Sequence, residues 1–340
     1  MRRSARSDGG VMGGARNSFL KFGFSRRIMY KKSPICGNTE RTKMKKFLIT
    51  TDSGCDLPRS EVDKRGIIPF LMQYEIDGEV FTDTMLPEDL HAFYEKMRAG
   101  AAPRTSQINP AQFVEFWRPL LAEGLPILHT GIGSAVSGTY RNACLAAEEL
   151  MQEIPGAKIY VVDSTLCSVG YGMLVLKAAE LRDGGATVEE ARDYMEANKA
   201  KVNTWYTTDE LKYLRRSGRC SRASAAIGTM LQICPILNLD LEGHLIVQER
   251  VRKLGPTISR IHEIIGGLVE DAGEQTLMIC HSDVEEKARK FGEEIREKFG
   301  FRDVYYTYIG ATIGANCGPG LMAAFFFGKP RTMKGYAEGE

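Results

Sequence analysis

Five stretches of the chain repeat one local plan, in which an apolar run ends in Ser, Thr, Gly or Asn and a helical pattern follows. They run from Phe47 to Ser53, Leu125 to Ser134, Ile159 to Ser164, Thr276 to Ser282 and Tyr308 to Asn316. Strands alternating with helices imply parallel sheets, and such sheets bind ligands in the crevice beyond the carboxyl ends of their strands. Hydroxyls and backbone amides would line that crevice here. It has no metal-ligand cluster and no evident acid/base pair, which suits holding a small polar group better than breaking a bond.

At 340 residues the chain is long enough for two domains. The expected class is α/β: a parallel-sheet α/β/α first domain, then a smaller α+β domain with a mixed sheet. The expected divisions are a disordered basic extension over 1–43, a first α/β domain over 44–202, a second α+β domain over 203–334 and a tail over 335–340. Residues 1–43 hold eleven Lys and Arg against two acids, while the rest holds 34 basic and 41 acidic residues. A mildly acidic body leaves no electrostatic footprint for nucleic acid. We read the basic head as an unfolded extension because Met44 closely precedes the first strand and no periodicity precedes it.

The eight cysteines have no metal-like spacing, the nearest pair being Cys220 and Cys234. Thiols scattered in apolar runs suit a reducing cytoplasm. No apolar run reaches the roughly 18 residues of a membrane span. The histidines (His91, His129, His244, His262 and His281) are scattered, with His129 and His281 expected as core residues at strand ends.

Element boundaries follow from local signals. Gly66 to Ile76 reads as a strand, turned at Asp77-Gly78 into Val80-Phe81. Helices are expected from Pro87, from Pro110 to Glu123 behind an Asn109 cap, from Ser137 to Glu153 and from Val169 to Arg182. Thr187 and Glu190 form a capping box for another. Later come helices over 209–216 and 223–232, a hairpin across Glu242-Gly243, and helices over 256–270 and 283–299. The strand from Val304 to Ile309 leads to a Gly-rich loop, and a short apolar helix is expected after Pro319.

Four groups of residues carry the chemistry. Thr105 and Ser106 precede a helix that Asn109 already caps, so their hydroxyls are available to a ligand. In Gly133-Ser134-Ala135-Val136-Ser137-Gly138, Ser137 can cap by its oxygen and still donate its proton to a carboxylate. The loop is neither a P-loop nor a dinucleotide fingerprint, since the glycine spacing is wrong. Arg219 lies beyond the glycine of Arg216-Ser217-Gly218, and Arg252 shares a strand face with Arg250, so both could meet an acidic ligand or partner. Asp52, Ser53, Asp163 and Ser164 end the first and third strands and are expected to support the site. A serine-hydrolase reading through Ser134 or Ser137 lacks a histidine base and a nucleophile elbow.

Taken together these segments resemble the DegV family of bacterial fatty-acid-binding proteins, which includes the acyl-carrying subunits of fatty acid kinase. The resemblance rests on Ile49 to Pro58 (ITTDSGCDLP), Thr105 to Pro110 (TSQINP), Ser134 to Tyr140 (SAVSGTY), Val162 to Ser164, Asp209 to Arg219 (DELKYLRRSGR) and Gly314 to Gly320 (GANCGPG), in family order. It implies an acyl chain buried in the first domain, with its carboxylate near the domain interface. The family's head-group hydroxyls fall on Thr105 and Ser137, with Ser106 adjacent, and its arginines on Arg219 and Arg252. Two positions depart: paired serines of the family are Gly133-Ser134 here, and a histidine of the last Gly-rich loop is Asn316, which can bond a carboxylate but carries no charge.

The resemblance thus implies a cytoplasmic carrier of a palmitate- or oleate-like acid, with no cofactor, that presents its ligand to a fatty acid kinase catalytic subunit. It would be no enzyme itself and would touch a membrane only transiently. A lipid-responsive sensor without a kinase is the first alternative, and a serine-dependent acyl-transfer enzyme the second.

Overall fold

The computed structural model describes residues 46–208, 211–219 and 233–334. The expected extension over 1–43, the expected helix over 223–232 and the tail over 335–340 lie outside the described residues.

The chain opens with β1 (Leu48–Asp52), a 3-10 turn, α1 (Arg59–Lys64), β2 (Ile68–Phe70), β3 (Gln73–Ile76) and β4 (Glu79–Thr82). Next come α2 (Pro87–Arg98), β5 (Arg104–Thr105), α3 (Pro110–Leu121), β6 (Ile127–Gly131), α4 (Thr139–Glu153), β7 (Ile159–Asp163), α5 (Val169–Asp183) and α6 (Val188–Asn198). The second half supplies β8 (Val202–Thr207), α7 (Leu211–Ser217), β9 (Ile233–Leu239), β10 (Leu245–Arg252) and α8 (Leu254–Leu268). It ends with β11 (Thr276–His281), α9 (Glu285–Phe299), β12 (Asp303–Tyr308), α10 (Ala311–Cys317) and β13 (Met322–Phe327).

Each of the five repeated segments is a strand that leads into a helix or helical turn. β1, β2, β6 and β7 form a four-stranded sheet in the order β2-β1-β6-β7, parallel throughout. The second sheet has the order β10-β9-β8-β13-β11-β12, parallel only between β11 and β12. The fold is therefore α/β with one parallel and one mixed sheet. The expected turn at Asp77-Gly78 joins β3 to β4, but their separate antiparallel sheet with β5, in the order β4-β3-β5, was not expected.

Alternation along the strands decides what lies on each side. Ala323 and Phe325 face a central core shared with Ile49, Leu128 and α5, while Met322, Ala324 and Phe326 face α8 and α9. The outer face of the first sheet packs Leu48 and Ile127 against α3 and α4, where Trp117 is fully buried. Helices thus cover the outer face of each sheet, and one apolar core joins the two halves.

Side-chain caps account for the starts of α3 and α6. Asn109 accepts from the Gln112 amide at 2.9 Å while the Gln112 side chain accepts from the Asn109 amide, also at 2.9 Å. Thr187 and Glu190 form the same reciprocal box. α4 starts two residues later than expected: Ser137 accepts the Thr139 amide at 3.2 Å, just ahead of the helix.

Three expectations were wrong. The single strand over Gly66–Ile76 is two strands in different sheets, divided at Leu71-Met72, where the Met72 amide donates to Ser53 Oγ at 3.0 Å. The expected Gly-rich loop contains helix α10. The expected apolar helix after Pro319 is strand β13, buried on both faces in the middle of the sheet. A six-residue apolar run carries no period that separates a buried strand from a buried helix.

Candidate functional site

A cavity of about 510 Å³ opens between the two halves. Its apolar wall includes Met72, Ile132 and Val136 from the first half and Ile313, Leu321 and Phe325 from the second. Thr105, Ser106, Gln107, Ser137 and Asn316 supply hydroxyls and amides to the same cavity. The resemblance placed the acyl chain inside the first domain. This cavity is lined from both halves, because the core-facing side of β8, β11 and β13 forms one wall.

The small sheet and α10 bring distant positions together. β5 pairs with β3 and fixes Thr105, while Asn316 projects from α10, leaving its Nδ2 3.5 Å from Thr105 Oγ1. Asn316 Nδ2 also donates to Thr312 O at 3.1 Å within its own helix. Ser137 Oγ lies 2.9 Å from Thr139 Oγ1, and either hydroxyl can donate. The N-cap position itself is Gly138, so Ser137 only accepts the Thr139 amide ahead of the helix and keeps a proton that can be redirected to a ligand. Gly138 also lines the cavity, and a Cβ there would stand 2.1 Å from Gln107 Oε1, so a larger residue would displace the Gln107 amide.

The two arginines separate. Arg219 lines the cavity as an exposed residue, with Nη1 donating to Ser217 O at 3.1 Å. Arg252 is exposed on the edge strand β10 and does not line the cavity, contrary to its grouping with the head-group charges.

The strand-end residues lie outside the cavity and brace it. Asp52 accepts from the Gly54 amide at 3.0 Å, the Ile132 amide at 3.1 Å and Tyr171 Oη at 2.5 Å, so it ties the β6–α4 loop to β1. Its carboxyl is pushed up by burial. Ser53 holds Met72, a wall residue. Asp163 accepts from the Ser134 amide at 3.1 Å and from Ser134 Oγ at 2.5 Å, which occupies Ser134 outside the cavity. Ser164 Oγ donates to Gly131 O at 2.8 Å and accepts from the Leu166 amide at 3.1 Å.

No serine of the site pairs with a histidine. His129 is buried in the first core, 3.0 Å from Thr50 Oγ1 and edge-on to Trp117, with its pKa lowered to about 3 by burial. His281 borders a separate cavity and is lowered to about 4, again by burial. Among the described residues no group of three His, Cys, Asp or Glu side chains converges to hold a metal ion.

Some cavity residues were not assigned from the sequence. Gln107 follows Thr105-Ser106 directly, and that adjacency was the available signal. Ser168 and Thr312 also line the cavity. Ser168 carries φ 55° and ψ −148° at the start of α5, a conformation that no local sequence feature announces.

The model of the DegV family of uncharacterised proteins matches residues 46–329. The chain belongs to the DegV family. A DegV domain-containing protein of Clostridium perfringens is 37% identical over 286 residues, covering 84% of this chain and 98% of that protein. Among solved structures, DegV of Bacillus subtilis, a fatty acid binding protein, aligns with a TM-score of 0.74 at 28% identity, covering 84% of this chain and 99% of that one. A DegV family protein of Thermus thermophilus, also solved for its fatty acid binding, aligns with a TM-score of 0.74 at 27% identity, covering 83% and 99%. The DegV fold is thus present over nearly the full length of these relatives. No helix among the described residues is long and apolar enough to cross a membrane.

Proposed function

We propose that the protein binds a long-chain fatty acid in the cavity between its halves. Residues 44–202 and 203–334 would act as the two domains that enclose it. The carrying observation is that Thr105, Ser106, Ser137 and Asn316, separated widely in sequence, line one largely apolar cavity. Two solved DegV relatives are fatty-acid-binding proteins.

Burying an alkyl chain contributes about 0.8 kcal/mol per CH₂, so a chain of about 16 carbons contributes roughly 11 kcal/mol before the costs of association. Hydrogen bonds to a charged head add about 1.5–3 kcal/mol each. The apolar wall then supplies affinity, while Thr105 and Ser137 orient the carboxylate. No histidine pairs with a cavity serine, and the carboxylate that Ser168 meets, Asp56, is buried and already accepts from the Gly310 amide, which favours a carrier over a catalyst. Presentation to a fatty acid kinase in the cytoplasm is the finer reading, with exposed Arg219 and Arg252 as charges for that partner. The neutral Asn316 favours a second reading, a lipid-responsive sensor that serves no kinase.

Mass spectrometry of lipid extracted from purified, never-delipidated protein should find long-chain acids. Thr105→Val and Ser137→Ala should each weaken palmitate binding by roughly 1–3 kcal/mol while leaving an alcohol of equal length nearly unaffected. A lipid-free protein that ignores added palmitate and oleate refutes the reading.

A further inference from the structure

α10 carries Ile313, Asn316 and Cys317 to the cavity, yet its own sequence cannot start it. Its N-cap is Gly310, which has no side chain to satisfy the first amides. The first half supplies what is missing. Asp56 Oδ1 accepts from the Gly310 amide at 2.8 Å, and Asp83 Oδ2 accepts from the Thr312 amide at 3.0 Å and Thr312 Oγ1 at 2.6 Å. Two carboxylates at the positive end of the helix also suit its dipole.

The seat is tight. A Cβ on Gly310 would stand 2.9 Å from Asp56 Oδ1, and one on Gly314 2.4 Å from Tyr94 Oη. Tyr94 Oη donates to Ile309 O at 2.7 Å, which fixes the strand end just before the helix. One turn beyond Thr312, Asn316 donates to the Thr312 carbonyl and approaches Thr105. Asp56 also accepts from Ser168 Oγ, and Ser168 lines the cavity.

These carboxylates are costly. Asp56 and Asp83 are 4% and 1% exposed, and neither forms an ion pair among the described residues. Burial raises both, and repulsion from Asp83 and Asp52 adds to the rise at Asp56. Neutral side chains would pack here more cheaply if only the fold were at stake.

We propose that Asp56 and Asp83 are positioning residues for head-group recognition: reaching across from the first half, they set α10 and thereby Asn316 against Thr105. The inference rests on the lipid-binding reading above and deepens it. Neither aspartate touches the ligand in this account; each acts through the helix.

The test compares palmitate with hexadecanol, since a shifted head-group contact changes their ratio and a loss of folded protein does not. Affinities for both would be measured in the wild type, Asp83→Ala, Asp83→Asn and Gly310→Ala, with thermal unfolding alongside. Asp83→Ala should weaken palmitate about tenfold, roughly one net hydrogen bond to a charged group, and leave hexadecanol nearly unchanged. Asp83→Asn retains an oxygen that can accept both Thr312 bonds and should restore most of the preference. Gly310→Ala displaces the helix start without removing a carboxylate and should also lower the ratio, so the proposal remains testable if Asp83→Ala does not fold. A lowered melting temperature with an unchanged ratio in Asp83→Ala and Gly310→Ala, or equal loss of both ligands, overturns it. A wild type that binds both equally well overturns the positioning role alone, whereas one that binds neither overturns the lipid reading and this inference with it.

Discussion

Asn316→His tests how the head end of the cavity handles charge. Asn316 Nδ2 lies 3.5 Å from Thr105 Oγ1, so an imidazole at this position reaches the same hydroxyl-lined corner. A neutral hydrogen bond contributes about 0.5–1.5 kcal/mol net, and one to a charged partner about 1.5–3. The gain when the imidazole protonates is therefore roughly 1–1.5 kcal/mol, or about five- to tenfold in affinity. An unperturbed imidazole titrates near pH 6.5 and a bound carboxylate moves that upward, so the gain is present at pH 5.5 and mostly lost by 7.5. Palmitate affinity would be measured by displacement of a fluorescent fatty acid at pH 5.5, 6.5 and 7.5 for both proteins. No His, Asp or Glu lines the wild-type cavity among the described residues. Asp56 stands behind Ser168 and Asp83 behind Thr312, and both are common to the two proteins. The readout is therefore the difference between the two slopes. Parallel curves would refute the placement of Asn316 at the carboxylate. A histidine-like step in the wild type would refute the claim that this site lacks an imidazole, and His281 could not supply it, being held neutral by burial with its pKa near 4.

Two further predictions concern the frame. His129, neutral and buried with its pKa near 3, stays unprotonated in the folded state while the unfolded chain protonates below about 6.5; its stabilisation is complete above that pH and is lost as pH falls toward 3. At pH 5 its share of the loss is about 2 kcal/mol, so urea unfolding of His129→Gln should show a shallower fall between pH 7 and 5 than the wild type, and an unchanged slope would contradict this. Arg331, 3% exposed and lowered to about 10 by burial, donates to Thr165 O at 3.1 Å, Thr165 Oγ1 at 2.9 Å and Asp240 O at 2.5 Å, joining the β7–α5 loop to the β9–β10 turn. Arg331→Met takes the donor from half-buried Thr165 O and leaves Asp240 O only the Gly243 amide, and it should cost roughly 1–3 kcal/mol in chemical denaturation, whereas a loss below about 0.5 would show that the loop and turn hold without it.

What the sequence disclosed was what its physics keeps local. The helix starts at Asn109 and Thr187 were legible because donor and acceptor lie three residues apart. Ser134-Ala135-Val136-Ser137-Gly138 was legible as a strand-to-helix loop because a buried strand precedes it and an amphipathic helix follows. Gly310-Ala311-Thr312-Ile313-Gly314-Ala315-Asn316 was misread as a loop for the opposite reason. Its glycines lower helix propensity, and its stabilising acceptors, Asp56 and Asp83, are 254 and 229 positions away in the chain. Those same glycines are what allow Asp56 and Tyr94 to come close. The feature that argued against a helix locally is therefore the one that lets the first half build it. β13 failed similarly, since Met322–Phe327 is buried on both faces and loses the alternation that would have marked it as a strand. Both errors fall where distant segments complete the element, the first half for α10 and the flanking strands β8 and β11 for β13, and both elements line the cavity. A ligand in the cavity would therefore contact two elements whose structure depends on long-range partners, which is why Asn316 should report on distant aspartates.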